Sequence, residues 1–135
     1  MQDSILRLSA VLATAWLFGG MLLFAAGFAA FLFTALPIAD ARSLIRKAFP
    51  HFYLFVMALA LLAAAASWPQ DHISALLLAG IALTTLPTRQ LLMPAINTAT
   101  DEGRRKRFAQ LHGLSVVVTL AHIAMAGTVL ARFVR

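Results

Sequence analysis

Four long apolar stretches, almost free of charge, restrict what this chain can fold into. They cover about residues 8–36, 50–68, 73–97 and 107–133. Each approaches or exceeds the roughly 20 residues that a helix needs to cross about 30 Å of hydrocarbon. Backbone groups in lipid must pair within their own segment, so each stretch is predicted to be helical. The sequence therefore predicts an all-α polytopic membrane protein, with four transmembrane helices in one antiparallel bundle over residues 1–135.

The composition supports a membrane protein and excludes several other classes. The chain is 61% hydrophobic and 12% charged, too few charges to cover a soluble domain. Its net charge is +6, but the basic residues lie in short blocks between apolar runs, so no nucleic-acid partner is expected. Cysteine is absent, which excludes disulfides and thiolate ligands. The first run exceeds the about 7–15 residues of a signal-peptide core, so we expect it to be retained.

The basic residues favour one end of the predicted bundle. The loops after spans one and three carry Arg42, Arg46, Lys47, Arg104, Arg105, Lys106 and Arg107. The other end carries Arg7, Arg132 and Arg135. The positive-inside rule therefore predicts a bacterial inner-membrane protein with both basic loops in the cytoplasm and both termini in the periplasm. The loop cations are expected to face lipid head groups.

The first basic loop has a helical pattern of its own. Ile38, Ala41 and Ile45 recur at helical spacing, with basic residues on the other faces. This pattern predicts a short basic helix lying on the membrane surface. An ordinary charged loop is the alternative.

Polar side chains recur along one face of the fourth span. They are His112, Ser115, Thr119 and His122, spaced three, four and three residues apart. Lipid would leave the imidazoles poorly satisfied, so this stripe is expected to face protein or water. Three roles are open: hydrogen bonding between helices, a path for a ligand or proton, and ligation of a metal or haem.

The third span is predicted to be kinked and to line a cavity. Pro87 and Pro94 each remove a backbone donor from the helix. Arg89 either extends its charge to the interface or binds an anionic group inside the bundle. Asn97 and Arg89 are predicted to join the stripe of span four in one polar path. The rings of His51, Tyr53 and His72 occupy interfacial positions, and we assign them no chemistry.

Metal and enzyme chemistry receive weaker support. His122 and Met125 form an i, i+3 pair that could bind copper(I), with Met21 and Met57 approaching from other helices. Methionine also fills irregular gaps in cores, so no metal site is assigned. The five acidic residues lie in tails or loops, and no nucleotide, zinc-protease or nucleophile motif is present. No cofactor is predicted, haem and copper remaining alternatives, and catalysis is not expected.

One segment resembles a known family. LLMPAINTATDEGRRKRFAQLHGLSVVV, with Pro94, Asn97, Phe108, His112 and Ser115, is similar to the transmembrane-protein-205-like family, a group of unknown function. The FPHFY of span two and the WLFGG of span one also resemble it. Thr119 stands where that family often has asparagine. The resemblance implies a four-helix integral membrane protein and no established reaction. WLFGG is also similar to the first span of copper-resistance membrane proteins of the D type.

Three functions follow from these observations. The first is a permeability or transport module for a small solute or ion, formed by one chain or a homo-oligomer. The second is a metal- or haem-handling membrane protein. The third is a membrane scaffold or partner subunit without chemistry, whose basic loops bind lipid or an acidic partner.

Overall fold

Four long helices, each longer than its apolar run, make up residues 2–135 in the computed structural model of this chain. Helix α1 comprises Gln2–Leu22, a π-helical segment Leu23–Phe28, and Ala29–Ala35. Helix α2 is Ile38–Ser67. Helix α3 comprises His72–Pro87, a π-helical segment Thr88–Leu92, and Met93–Asp101. Helix α4 is Arg105–Phe133. The predicted all-α bundle of four membrane-length helices is confirmed.

The first basic loop is not a separate surface helix. The chain turns at Leu36, which is extended because Pro37 follows it, and α2 begins directly at Ile38. No helix breaker lies between Ile38 and Phe49, and Pro50 removes only one backbone hydrogen bond from a long helix. The predicted surface helix is therefore the beginning of α2. How deep each helix lies in a bilayer stays a prediction.

A glycine turn connects α3 to α4. Gly103 has φ +67°, a conformation that L side chains rarely adopt. Around it, the backbone N–H of Arg104 donates to the carbonyl of Ala99 at 2.9 Å, and that of Gly103 donates to Thr100 at 3.1 Å. These bonds satisfy the last carbonyls of α3, so the helix ends sharply and α4 can return beside it.

The two ends of the bundle are different. We call the end with the Trp68–Asp71 turn and both chain termini the turn end, and the end with residues 36–42 and 101–105 the basic end. Side chains from all four helices fill the half towards the turn end. The fully buried apolar ones are Leu17, Ala60, Ala63, Leu78, Ile81, Ala126 and Val129, and the polar residues Thr14 and Ser74 are also fully buried. Small residues allow close approach there, since a Cβ on Gly127 would lie 3.2 Å from the Phe18 ring.

Polar contacts close the turn end. Asp71 caps α3 by accepting from the backbone N–H groups of Ile73 and Ser74 at 3.1 and 3.2 Å. Its carboxylate also accepts from Arg132 of α4 at 2.8 and 3.0 Å and from the Ser74 hydroxyl at 2.6 Å. The hydrogen bonds from Arg132, then that from Ser74, hold the pKa of Asp71 well below its usual range.

Two further hydrogen bonds hold α1 at the turn end. Arg7 donates to the carbonyl of Phe133 at 3.1 Å, and the Gln70 amide donates to the carbonyl of Asp3 at 2.8 Å. All four helices are therefore connected at this end through polar groups.

Candidate ligand cleft at the basic end

A cleft of about 900 Å³ separates the helices towards the basic end. It is lined by α1 between residues 22 and 33, α2 between 42 and 53, α3 between 93 and 103, and α4 between 105 and 123. Its volume lies near the upper limit of the roughly 300–1,000 Å³ typical of small-molecule sites. Every helix thus contributes to one candidate site.

The cleft opens where α1 leaves α4. Helix α4 packs against the Gln2–Leu22 part of α1, and the π-helical segment Leu23–Phe28 follows directly. A π turn inserts an extra residue and redirects a helix, and such turns are common at functional sites. The second π segment, Thr88–Leu92, immediately precedes Met93, where α3 begins to line the cleft. It also precedes Pro94, which cannot donate a backbone hydrogen bond.

Aromatic rings form the wall between α1 and α2. Phe24 stacks on Phe52 with ring centroids 4.1 Å apart and planes 7° apart. Phe49 meets Phe24 edge to face at 5.2 Å and lies 5.6 Å from Tyr53. These contacts fix the rings, and they give the cleft a rigid apolar side.

Three of the four stripe residues line the cleft together: His112, Ser115 and Thr119. The Ser115 hydroxyl donates to the carbonyl of His112 at 2.7 Å, and the Thr119 hydroxyl donates to that of Ser115 at 2.9 Å. Both hydroxyl hydrogens are therefore bonded within α4, and only acceptor positions remain towards the cleft. His112 stacks on Phe108 with ring centroids 5.4 Å apart. A proton path along these side chains would need water between them.

Among the cleft-lining side chains of α2 and α3, two neutral polar groups have no hydrogen-bond partner within residues 2–135. They are the Tyr53 hydroxyl and the Asn97 amide. Tyr53 as a residue is only 5% exposed. Every side-chain oxygen or nitrogen that is fully sealed within the described part of the chain has a hydrogen-bond partner, so the unpartnered Tyr53 hydroxyl is not one of the sealed atoms. This hydroxyl is therefore reached from outside the protein, through the cleft that the residue lines. A hydrogen-bonding molecule in the cleft would satisfy both groups.

Arginines surround the mouth of the cleft. Arg46 forms a bidentate pair with Asp101, at 2.9 and 3.2 Å, which joins α2 to the end of α3. Arg42 and Arg105 also line the cleft, and neither makes a side-chain hydrogen bond or ion pair within residues 2–135. The mouth is therefore positively charged.

His122, the fourth stripe residue, lies outside the cleft. It is buried between α3 and α4, where its Nε2 is 2.7 Å from the Thr84 hydroxyl. The same hydroxyl lies 2.7 Å from the carbonyl of Gly80, and the tautomer of His122 decides whether Nε2 donates to the hydroxyl or accepts from it. At about 100° per residue His122 is only about 20° from Ser115 around the helix, but it lies seven residues, about 10 Å, nearer the turn end, where α4 packs against α3.

Arg89 is also away from the stripe. Its Nε donates to the carbonyl of Pro50 on α2 at 3.3 Å, and it does not line the cleft. Asn97 does line it, beside the residues of α4. The structure thus brings together His112, Ser115, Thr119 and Asn97, and it places His122 and Arg89 at separate interhelical contacts.

The copper hypothesis depends on His122 and Met125. The Met125 methyl group lies over Gly80, 3.3 Å from where a glycine Cβ would be, on the α3 side of the bundle. Residues 2–135 contain no cluster of three or more His, Asp or Glu side chains arranged around a metal position. Since Nε2 of His122 contacts Thr84, a soft metal would have to use Nδ1. The copper and haem hypotheses stay predictions.

Tyr53, Phe24 and Arg42 were not predicted to share a site with the stripe. One pattern in the sequence indicates the α2 side of this site. Phe49, Phe52 and Tyr53 recur at three- and four-residue spacing, and they continue the helix face that carries Arg42, Ile45 and Arg46. This face continues the basic face of the first loop. It becomes recognisable once α2 is known to begin at Ile38.

Comparison with known proteins identifies the family. The search of curated proteins and the search of solved structures each return no match. A family model described as "Domain of unknown function (DUF4149)" matches residues 12–105, more than half of the chain. The match covers most of α1, all of α2 and α3, and three walls of the cleft, and it ends at the first residue of α4. The chain therefore belongs to the DUF4149 family, whose function is unknown.

Proposed function

We propose that this protein is a transport module that takes a small solute into the four-helix cleft from the basic end. One observation carries the proposal. The cleft is large enough for a ligand, and within it Tyr53 and Asn97 present hydrogen-bonding groups that no residue of 2–135 satisfies. The resemblance to the transmembrane-protein-205-like family is compatible with this proposal and names no solute.

Transport requires the cleft to open alternately towards the basic end and towards the turn end. The Asp71–Arg132 pair and the packed residues around Ala126 separate it from the turn end. The two π-helical segments are the natural hinges, because a π turn can shift along a helix without loss of many hydrogen bonds. The proposed cycle therefore alternates between this conformation and one in which the turn end is open.

We also propose that the basic end faces the cytoplasm of a bacterial cell and that both termini are periplasmic. The support is the concentration of basic residues at one end: Arg42, Arg46, Lys47, Arg104, Arg105, Lys106 and Arg107. Single cysteines at Glu102 and Pro69 test this in intact cells with a membrane-impermeant maleimide, because the chain has no cysteine of its own. Labelling of Pro69→Cys alone is the expected result.

Two-sided labelling tests transport without knowledge of the solute. Thr119→Cys lies in the cleft, and in proteoliposomes of known orientation an impermeant maleimide should label it from the basic end. A transporter should also expose it, more slowly, from the turn end. Leu83→Cys, a lipid-facing control in the middle of α3, should label from neither side. Labelling of Thr119→Cys from the basic end alone would leave a binding protein and overturn transport.

A further inference from the structure

We propose that the cleft binds an anionic glycerophospholipid from the leaflet at the basic end. The inference rests on the proposed function in one respect, that the cleft is a ligand chamber, and it names the ligand. Three layers of the cleft, from its mouth inwards, fit such a lipid.

The first layer is cationic. Arg42 and Arg105 face the cleft without a partner in residues 2–135, and Arg46 shares its charge with Asp101. The nearby carboxylate of Glu102 is paired with Arg104 at 2.6 Å, and Asp40 does not line the cleft. Guanidinium groups bind phosphate through paired N–H donors, so this mouth fits a phosphodiester head group.

The second layer contains hydrogen-bond donors. The Arg46–Asp101 pair places these two residues at one level of the bundle. From that level, Asn97 lies four residues deeper than Asp101 on α3, and Tyr53 lies seven residues deeper than Arg46 on α2. At about 1.5 Å per residue they are about 6 and 10 Å below the arginines. His112, seven residues into the membrane from Arg105, lies at the same depth as Tyr53.

This spacing matches the interfacial region of a lipid. The polar region of one leaflet is about 5–8 Å thick, the difference between the full bilayer and its hydrocarbon core, shared between two leaflets. The ester carbonyls of a glycerophospholipid lie at its inner edge, and they are acceptors without hydrogens. Asn97 offers a donor at that depth, and Tyr53 and His112 offer donors about one helical turn deeper. A lipid ester would thus give the accessible Tyr53 hydroxyl a partner.

The third layer is apolar. Deeper than Tyr53 the cleft is lined by Met93 and Ile123, and the wall along α1, from Phe24 towards the mouth, consists of small and aromatic side chains. The hydroxyls of Ser115 and Thr119 are bonded to their own helix and do not present donors here. An acyl chain fits such a surface, because it needs no hydrogen bonds.

Binding to the purified protein tests the head-group layer. Phosphatidylglycerol is titrated into protein in mild detergent, with bound lipid counted by native mass spectrometry, and phosphatidylcholine and a free fatty acid serve as comparisons. We expect one phosphatidylglycerol per chain and weaker binding of both comparisons. Arg42→Gln with Arg105→Gln should reduce affinity about tenfold or more. The control Lys106→Gln with Arg107→Gln removes the same charge outside the cleft and should change affinity less than about twofold.

An ether-linked phosphatidylglycerol tests the second layer, because it lacks the ester carbonyls. Tyr53→Phe should weaken binding of the ester lipid roughly 2- to 10-fold, the effect of one lost hydrogen bond, and leave binding of the ether lipid unchanged. The selective loss cannot come from a misfolded variant, since the ether lipid reports on the fold. Equal effects on both lipids would overturn the ester contact.

Other outcomes overturn the proposal in identifiable ways. Equal affinity for anionic and zwitterionic lipid, or equal loss in the control variant, would indicate only general attraction to the surface. A dimer that excludes lipid in native mass spectra would show that a second copy fills the cleft. Specific lipid binding without labelling of Thr119→Cys from the turn end would support this inference and refute transport. Two-sided labelling without lipid binding would support transport and refute this inference.

Discussion

The two ends of this bundle use the same kinds of residue in opposite ways. At the turn end, Arg132 donates to Asp71 and Ser74, and each of these polar groups has a partner inside the protein. At the basic end, Arg42 and Tyr53 face a cleft and have no partner in residues 2–135. The packing also differs between the two ends. Side chains of all four helices fill the half towards the turn end, whereas α1 and α4 separate in the half towards the basic end.

This difference indicates where stability and function reside. Polar groups that satisfy one another connect the helices, and their loss should affect folding. Polar groups left open to a cleft contribute little to the fold, and their loss should affect a ligand. The following predictions compare the two halves, from the largest expected effect to the smallest.

Filling space should harm only the packed half. Ala60→Leu adds bulk to a fully buried position on α2 and should destabilise the fold by about 1–3 kcal/mol or prevent folding. Ala30→Leu makes a similar addition to an exposed position that lines the cleft and should leave the unfolding midpoint almost unchanged. Thermal unfolding in one detergent measures both. Similar losses in the two variants would contradict the difference in packing.

Removing the closure of the turn end should destabilise the bundle next most. Asp71→Asn and Arg132→Gln should each lower the Tm by several degrees, because each leaves its partner without a counter-charge. The double variant should lose less than the sum of the single losses, as expected for residues in direct contact. Arg46→Gln breaks the more exposed pair at the basic end and should have a smaller effect.

Acid should weaken the turn end through Asp71. Hydrogen bonds from Arg132 and Ser74 lower the pKa of Asp71 in the folded protein below its ordinary value of 3.8. The carboxylate therefore stabilises the fold above that value, and this contribution is lost as the pH falls below 3.8 towards the lower folded pKa. Unfolding midpoints between neutral pH and pH 3 should decline less in Asp71→Asn than in the unchanged protein. Parallel declines would show that other groups determine acid sensitivity.

The contact between α3 and α4 at mid-height should have a measurable but small effect. Thr84→Val removes the hydroxyl that hydrogen-bonds with His122 and should cost about 1 kcal/mol. Thr128→Val is the matched control on α4, because that exposed hydroxyl donates only to the carbonyl of Ala124 in its own helix. The free energy of unfolding of Thr128→Val should stay within a few tenths of a kcal/mol of that of the unchanged protein. Equal losses would mean that the His122 contact does not hold these helices together.

Much of the fold follows from hydropathy, because apolar runs of membrane length have few alternatives to helices. The sequence also indicated the polar face of α4, and His112, Ser115, Thr119 and Asn97 do share the cleft. His122 could not be separated from them, because it lies within about 20° of Ser115 around the helix, and only tertiary packing decides that α3 covers α4 at the depth of His122. Arg89, predicted to join the stripe, instead donates to the carbonyl of Pro50 on α2.

The cleft itself could not be predicted from local sequence. It exists because α1 departs from α4 at a π-helical segment, LFAAGF, which has no proline and no feature that distinguishes it from the alanine-rich turns around it. The second π segment lies between Pro87 and Pro94, so a kink there was expected. Hydropathy does not predict the start of α2 at Ile38, because the amphipathic first part and the apolar second part of this one helix differ in composition.

The reactivity of single cysteines measures the difference between the two halves most directly. In the cysteine-free chain, Ala30→Cys and Thr119→Cys report on the cleft, and Ala60→Cys and Ala63→Cys report on the packed half. We expect N-ethylmaleimide to modify the cleft positions at least about tenfold faster in the folded protein, with equal rates after unfolding, since exposure controls the reaction. Equal rates at all four positions in the folded protein would contradict the account of one open and one closed end.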